Sequence, residues 1–419
     1  MKKVLVIAYH YPPLGGGGVF RTLKFTKYLP RFGFKPYVLT VKNSMYPTRD
    51  PTLLSEIPRE VRIIETFSLE RKLFQMPFYA LRTTPKWVFI PDINIGWLPF
   101  AVRRGEQIIK KEGIDVIYAT APIYTSLLIA CLLKRRTEKP LVIDFRDPWT
   151  QNVYIKYPTK LHKKIEEKLE KFVLKTADHI IVNTEPMRLK LIEKYPFIKR
   201  KCTTITNGFD SEDFKGLTRS AKREKFTITH TGYLYGFMLH TGKHFLTALK
   251  ELLKEKREIE SKIQVLFAGP PSKQIEELVK ELELQNVIKF LGYRSHSESL
   301  KLMVDSDVLL LIMGAEELYD EKLGSLRIPG KLFEYLGAKR LILALVPRGV
   351  AADLIRSTKA GIIVPPNDVS SIKQAVFKLF QEWERGDLES VQCDVSGYDR
   401  KVLTEKLSEV LRRVYSKHE

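Results

Sequence analysis

Apolar residues along this chain follow two alternating patterns: short uninterrupted runs, and longer stretches in which they recur every three or four positions. VLVIAYH, from Val4 to His10, is a continuous run and reads as a parallel strand covered on both faces. Asp115 to Ala119, LVIDF (Leu141 to Phe145) and HIIVN (His179 to Asn183) read the same way, and PYVLTVKNS supplies a second strand near the N-terminus. Between LVIDF and HIIVN, LHKKIEEKLEKFVLKTA sets Ile165, Leu169, Phe172 and Val173 at helical spacing, with charges elsewhere. Strands alternating with such helices predict a doubly wound α/β domain. A second set follows TNGFDSEDF (Thr206 to Phe214), whose Asn-Gly and Asp/Ser content marks a turn and linker. Its strands are FTITHTG, IQVLFAGP, VIKFLGY, DVLLLIM, LILALV and GIIVPP. The pattern therefore predicts two Rossmann-like domains, 1–205 and 206–395. A final helix over 398–416 completes the first, with Leu403, Leu407, Val410, Leu411 and Val414 on one stripe.

Composition narrows the class. A chain of 419 residues with 44% hydrophobic residues can build two full cores without disulfide staples. Cys131, Cys202 and Cys393 match no metal or disulfide spacing, which favours a reducing compartment. The N-terminus opens on a strand, with no signal-peptide pattern, and the most apolar longer segment, Ile117 to Leu133, is interrupted by Pro122 and hydroxyl residues. The expected location is cytoplasmic, with a peripheral position on the inner face of the cell membrane as an extension of it. The net charge of +21 is uneven, because residues 1–200 hold 36 Lys and Arg against 18 Asp and Glu. Such a field suits anionic lipid headgroups, phosphorylated substrates or nucleic acid, and equally a plain solvated surface.

The stretch YPPLGGGGVFRTLKF places four consecutive glycines between the first strand and a helix. Glycines there let backbone approach a ligand, and a helix start offers N–H groups with about half a positive charge. Gly16, Gly17 and Gly18 thus form a candidate phosphate-type turn; no Gly-Lys-Ser/Thr follows, so it is no P-loop. Phe25, Leu29 and Phe32 fall on one side of the helix, and Arg21, Lys24, Lys27 and Arg31 crowd the other half. Ligands of open parallel sheets sit at the carboxyl ends of the strands. Two such domains facing each other would hold a ligand in the cleft between them.

RIPGKLFEYLGAKRLILAL (Arg327 to Leu345) and GIIVPPND (Gly361 to Asp368) resemble the nucleotide-sugar-binding half of family 4 glycosyltransferases, which have the GT-B fold. YPPLGGGGVFRTLKF, ATAPIYTS, DFRDPWT and the TNGFD junction agree with that resemblance in order along the chain. It implies transfer of a sugar from a nucleotide diphosphate donor to an acceptor hydroxyl, with retention at the anomeric carbon and no required metal. It also implies that Glu334 holds the ribose hydroxyls and that Lys331 and Lys243 offset phosphate charge. Gly232, Tyr233, Arg294, Pro329 and Gly330 join the glycine turn as expected diphosphate or donor contacts. The family often has a first glutamate eight residues before the second; here Leu326 stands there, which leaves the sugar contact to Gly324 to Pro329.

In the first domain, DFRDPW supplies Arg146 and Asp147 where many relatives have a histidine. Asp147 is expected to orient a sugar or acceptor hydroxyl, and Arg146 to pair either with a phosphate or with Asp144. The expected catalytic set is then Asp147, Arg146, Lys331 and Glu334, with His10 and Arg21 on the acceptor side. No metal ligand set is expected: Asp305-Ser306-Asp307 precedes a strand and reads as a helix end and a strand start. Leu69 to Ile90 alternates aromatics and Leu with Arg and Lys, which suits a headgroup region. The expected acceptor is a glycan, either polyprenyl-diphosphate-linked or otherwise anionic. A nucleotide-sugar epimerase is the alternative of the same fold. A nucleic-acid-binding protein would explain the charge, but the chain carries no recognition module.

Overall fold

The computed structural model describes residues 1–44, 46–69, 87–152, 155, 157–220, 224–234, 236, 238–270, 272–314, 326–388, 391 and 394–418. Most of the Leu69–Ile90 segment, Gly324, Ser325 and Cys393 lie outside them. The chain divides into two compact units, Met1–Asn207 with Arg400–Glu419, and Gly208–Asp399.

The first unit holds β1 (Lys2–Ile7), β2 (Phe34–Val41), β3 (Arg62–Thr66), β4 (Val116–Thr120), β5 (Leu141–Phe145), β6 (His179–Val182) and β7 (Cys202–Thr204). They form one parallel sheet in the order β3-β2-β1-β4-β5-β6-β7, with Val4 of β1 in register with Pro36 of β2 and Val116 of β4. The order reverses between β1 and β4, so ligand chemistry belongs at their carboxyl ends. Helices α1 (Gly17–Tyr28), α2 (Leu98–Glu112), α3 (Tyr124–Thr137), α4 (Lys160–Thr176) and α5 (Glu185–Lys194) connect the strands. The last helix, α12 (Arg400–Ser416), buries Leu403, Leu407, Val410, Leu411 and Val414 in one core with Val4, Val6, Val38 and Tyr118. A stripe 400 residues downstream thus covers one face of the first sheet.

The second unit repeats the design. Its strands are β8 (Phe226–Thr231), β9 (Ile263–Ala268), β10 (Ile288–Gly292), β11 (Val308–Ile312), β12 (Leu341–Leu345) and β13 (Gly361–Val364), in the order β10-β9-β8-β11-β12-β13. Its helices are α6 (Met238–Glu255), α7 (Lys273–Glu281), α8 (His296–Asp305), α9 (Gly330–Ala338), α10 (Val350–Ser357) and α11 (Val369–Arg385). Here the switch lies between β8 and β11.

Both sheets meet the expected α/β class. Two strands went unread, β3 and β7, and both are short edge strands. β3 alternates exposed and buried positions where the inner strands are buried throughout. Asp305 and Asp307 are structural as expected. Asp305 ends α8 and accepts from Ser220 N at 2.8 Å, and Asp307 accepts from Thr227 N at 2.8 Å and pairs with Arg219.

Candidate active site

In the second unit the expected donor residues gather at the carboxyl ends of β8 and β11. Gly232 follows β8 with φ of 97°, a left-handed conformation that favours glycine. Its N–H donates to Ala268 O at 2.7 Å, and a side chain there would meet Lys331 Nζ at 2.9 Å. So the missing side chain makes room for an ammonium. Helix α9 begins at Gly330 with Pro329 as N-cap, and no side chain caps its first N–H groups. Lys331 and Glu334 stand on its first turns, both partly buried.

The Lys331 ammonium contacts His230 Nε2 at 3.3 Å, and His230 Nδ1 lies 2.8 Å from Leu310 O. A carbonyl only accepts, so Nδ1 carries the ring proton and Nε2 presents its lone pair to the ammonium. Burial, with the Lys331 charge beside it, holds the His230 imidazole well below its usual range, so the ring is neutral. Burial also lowers the Lys331 amine to about 8, against the opposing pull of Glu334. Glu334 Oε1 lies 3.2 Å from His296 Nε2. Tyr335 locks the same helix to β8, accepting from Thr231 N at 3.0 Å.

The remaining donor residues are less involved. Tyr233 is exposed beside Gly232; Leu326 is buried at 3% exposure and cannot replace a carboxylate. Arg294 donates to Tyr293 O at 3.3 Å, its only partner among the described residues. Lys243 is exposed on α6 and makes no hydrogen bond or ion pair with the Lys331 cluster. His230 and His296 were not expected. A polar residue inside the buried run FTITHTG was the available signal for the first; the second had none.

In the first unit the glycine turn leads into α1. Gly16 is its N-cap with φ of 82°, without a side-chain cap and with no acidic residue in the first turn. A Cβ on Gly17 would meet nothing within 4 Å, whereas one on Gly18 would lie 2.5 Å from His10 Nδ1. Among the described residues that nitrogen has no hydrogen-bond partner. Burial, with Arg146 adding its charge, lowers the His10 imidazole to about 4, so the ring is neutral.

One expectation needs correction. Arg21 does not face an acceptor: it is 1% exposed and forked onto Asp144 at 2.7 and 2.9 Å, with further bonds to Ile205 O at 2.8 Å and Thr206 O at 2.6 Å. Lys24 is likewise buried against Glu56, so the basic half of α1 is not a ligand face. Arg146, 8% exposed, spends its guanidinium on protein acceptors. It donates to Gly18 O, Thr22 Oγ1 at 2.6 Å and Thr120 Oγ1 at 3.1 Å, bracing the glycine turn from beneath. Asp144 collects this network: it also accepts from Tyr118 at 2.6 Å. Burial opposes its charge, yet Arg21 and Arg146 hold the carboxyl below its usual range.

Asp147 is partly buried next to Tyr124 and Arg146. Its loop is held by two carboxylates of α4: Trp149 Nε1 donates to Glu166 at 2.8 Å, while Thr150 N and Lys194 reach Glu170 at 3.1 and 3.0 Å. Glu166 and Glu170, each 1% exposed, were read only as charges on a helix surface.

Residues 15–213 match the family described as Glycosyltransferase Family 4, and residues 241–389 match Glycosyl transferases group 1. A putative colanic acid biosynthesis glycosyltransferase, WcaL, of Escherichia coli is 24% identical over 143 residues, 33% of this chain and 33% of that protein. The match thus spans about a third of that relative's length. Among solved structures, HepE of Anabaena in complex with UDP and glucose superposes with a TM-score of 0.69 at 15% identity, covering 99% of this chain and 100% of that one. A glycosyltransferase from Rickettsia africae ESF-5 gives a TM-score of 0.67 at 18% identity, covering 99% and 98%.

Proposed function

This chain belongs to glycosyltransferase family 4 and has the GT-B fold; from that premise we propose that it transfers a sugar from a nucleoside diphosphate to an acceptor hydroxyl. The observation that carries the reading is the grouping of Lys331, Glu334 and Gly232 at the second sheet's switch point, with an uncapped helix start beside them. In the reaction the bond from the anomeric carbon to phosphate oxygen breaks and the bond to the acceptor oxygen forms. The nucleoside diphosphate leaves with the electron pair, and the acceptor hydroxyl loses its proton. Charge then grows on the phosphate oxygens. A fixed ammonium and backbone N–H groups are suited to stabilise it, which supports a reaction that needs no metal. Glu334 is proposed to accept from the ribose hydroxyls, and Asp147 to orient a hydroxyl of acceptor or sugar. Retention at the anomeric carbon follows from the family resemblance.

The acceptor is proposed to be a lipid-linked or otherwise anionic glycan of cell-surface polysaccharide assembly. The name of WcaL supports this, as does the excess of Lys and Arg in residues 1–200. No helix among the described residues is long and apolar enough to cross a membrane; a peripheral position at the cytoplasmic face is part of the proposal. A panel of nucleotide sugars scored by thermal shift tests the reading. One donor class should raise the melting temperature, since a ligand at 100 times its Kd adds about 2.7 kcal/mol. A panel with no shift at millimolar donor would reject it.

A further inference from the structure

Lys331 and Glu334 stand three residues apart on α9, a spacing at which a lysine and a glutamate on one helix meet and pair. They do not pair. Among the described residues neither side chain bonds to the other, and each is held instead by an imidazole from another element. His230 on β8 takes the ammonium at 3.3 Å, and His296 at the start of α8 takes the carboxylate at 3.2 Å.

Building on the donor site described above, we propose that His230 and His296 are positioning residues that keep Lys331 and Glu334 from closing into a salt bridge, leaving the cation for the donor diphosphate and the carboxylate for its ribose. The chemistry of each ring suits this. His230 offers Lys331 a neutral acceptor, because its proton is committed to Leu310 O. A neutral acceptor satisfies the ammonium without cancelling its charge, where a carboxylate would do both. His296 donates through Nε2 in either protonation state that carries a proton there, so it turns Glu334 toward α8 and away from Lys331. Among the described residues, the elements around the pair bring no other carboxylate to it. Tyr335 is occupied by Thr231, β11 presents the Leu310 carbonyl, and β9 presents the Phe267 ring to His230 at 5.8 Å. The lowered amine of Lys331 agrees with an ammonium on which burial outweighs the pull of Glu334.

The test titrates the Lys331 amine in the full chain by pH-dependent reductive methylation, read by peptide mass spectrometry, beside UDP binding by calorimetry. His296→Leu and His230→Leu should each let the pair close. The amine midpoint then rises by at least about one unit toward the ordinary lysine value, and the UDP Kd rises about tenfold. Adding Glu334→Gln to either variant should bring the midpoint back down. His296→Gln keeps a donor and His230→Gln keeps an acceptor, so both should stay near the parent midpoint. His296→Phe and His230→Phe fill the space of the rings and serve if a leucine variant does not fold. A midpoint that stays or falls in the folded leucine or phenylalanine variants overturns the proposal. The amine titration needs no ligand. A parent chain that binds no nucleoside diphosphate would thus count against the glycosyl-transfer reading, while the midpoint still decides the role of the histidines.

Discussion

The two units carry buried cations at comparable places, the carboxyl ends of a sheet near its switch point, and treat them in opposite ways. In the first, Arg21 is forked onto the Asp144 carboxylate and Arg146 is filled by a carbonyl and two hydroxyls. In the second, the one partner of Lys331 among the described residues is an imidazole. Lys331 is partly buried where Arg21 and Arg146 are buried, and the partner adds to that difference. A guanidinium satisfied by a carboxylate joins strands and helix together and has no field left for a ligand. An ammonium held by a neutral ring keeps its charge. Position at a strand end is therefore a poor guide to function until the partner is known.

Breaking the first cluster should cost folding, and breaking the second should cost ligand. The largest effect is expected from Asp144→Asn, which leaves Arg21 buried without a counter-charge. Stability should fall by about 3–5 kcal/mol in chemical denaturation, as for other broken buried pairs. Next comes Lys331→Met, expected to lower kcat/KM by about 100- to 1,000-fold with little change in melting temperature, as loss of a preorganised charge does. A large loss of stability instead would mean that the two clusters are alike.

The glycine turn sharpens the contrast within the first unit. Gly18→Ala should destabilise by about 1–3 kcal/mol because its Cβ overlaps His10. Gly17→Ala faces open space and should change stability by less than about 0.5 kcal/mol. A pH slope complements these substitutions. His10, His179 and His230 are all held neutral by burial, two of them at about 4 and His230 well below its usual range. Unfolding lets each take a proton near its ordinary pKa of about 6.5. Their contribution is complete above that value and is lost as pH falls toward the folded values. Denaturation midpoints at pH 7 and pH 5 should show the drop, and His10→Asn should make it shallower.

How much could be read in advance depended on distance along the chain. Inner strands such as LVIDF and DVLLLIM were legible because parallel strands bury both faces and leave an unbroken apolar run. Edge strand β7 has only three residues and β3 is covered on one face only, so they left no such run. The stripe of α12 announced that it docks, though not where. In the site, Lys331 and Glu334 were visible because a local motif carries them. Arg21 was misread because its partner Asp144 lies 123 positions away. His230 and Lys331 are separated by 101 positions and Glu334 and His296 by 38. No local pattern records such pairs.

From its sequence alone this protein has two doubly wound domains, a bare glycine turn, a final helix that must dock and a lysine–glutamate motif on a second-domain helix. Tertiary structure alone decided which cations remain available. The reason is physical: periodicity and turn chemistry act over a few residues, whereas the charge a side chain presents depends on neighbours and desolvation that only folding brings together.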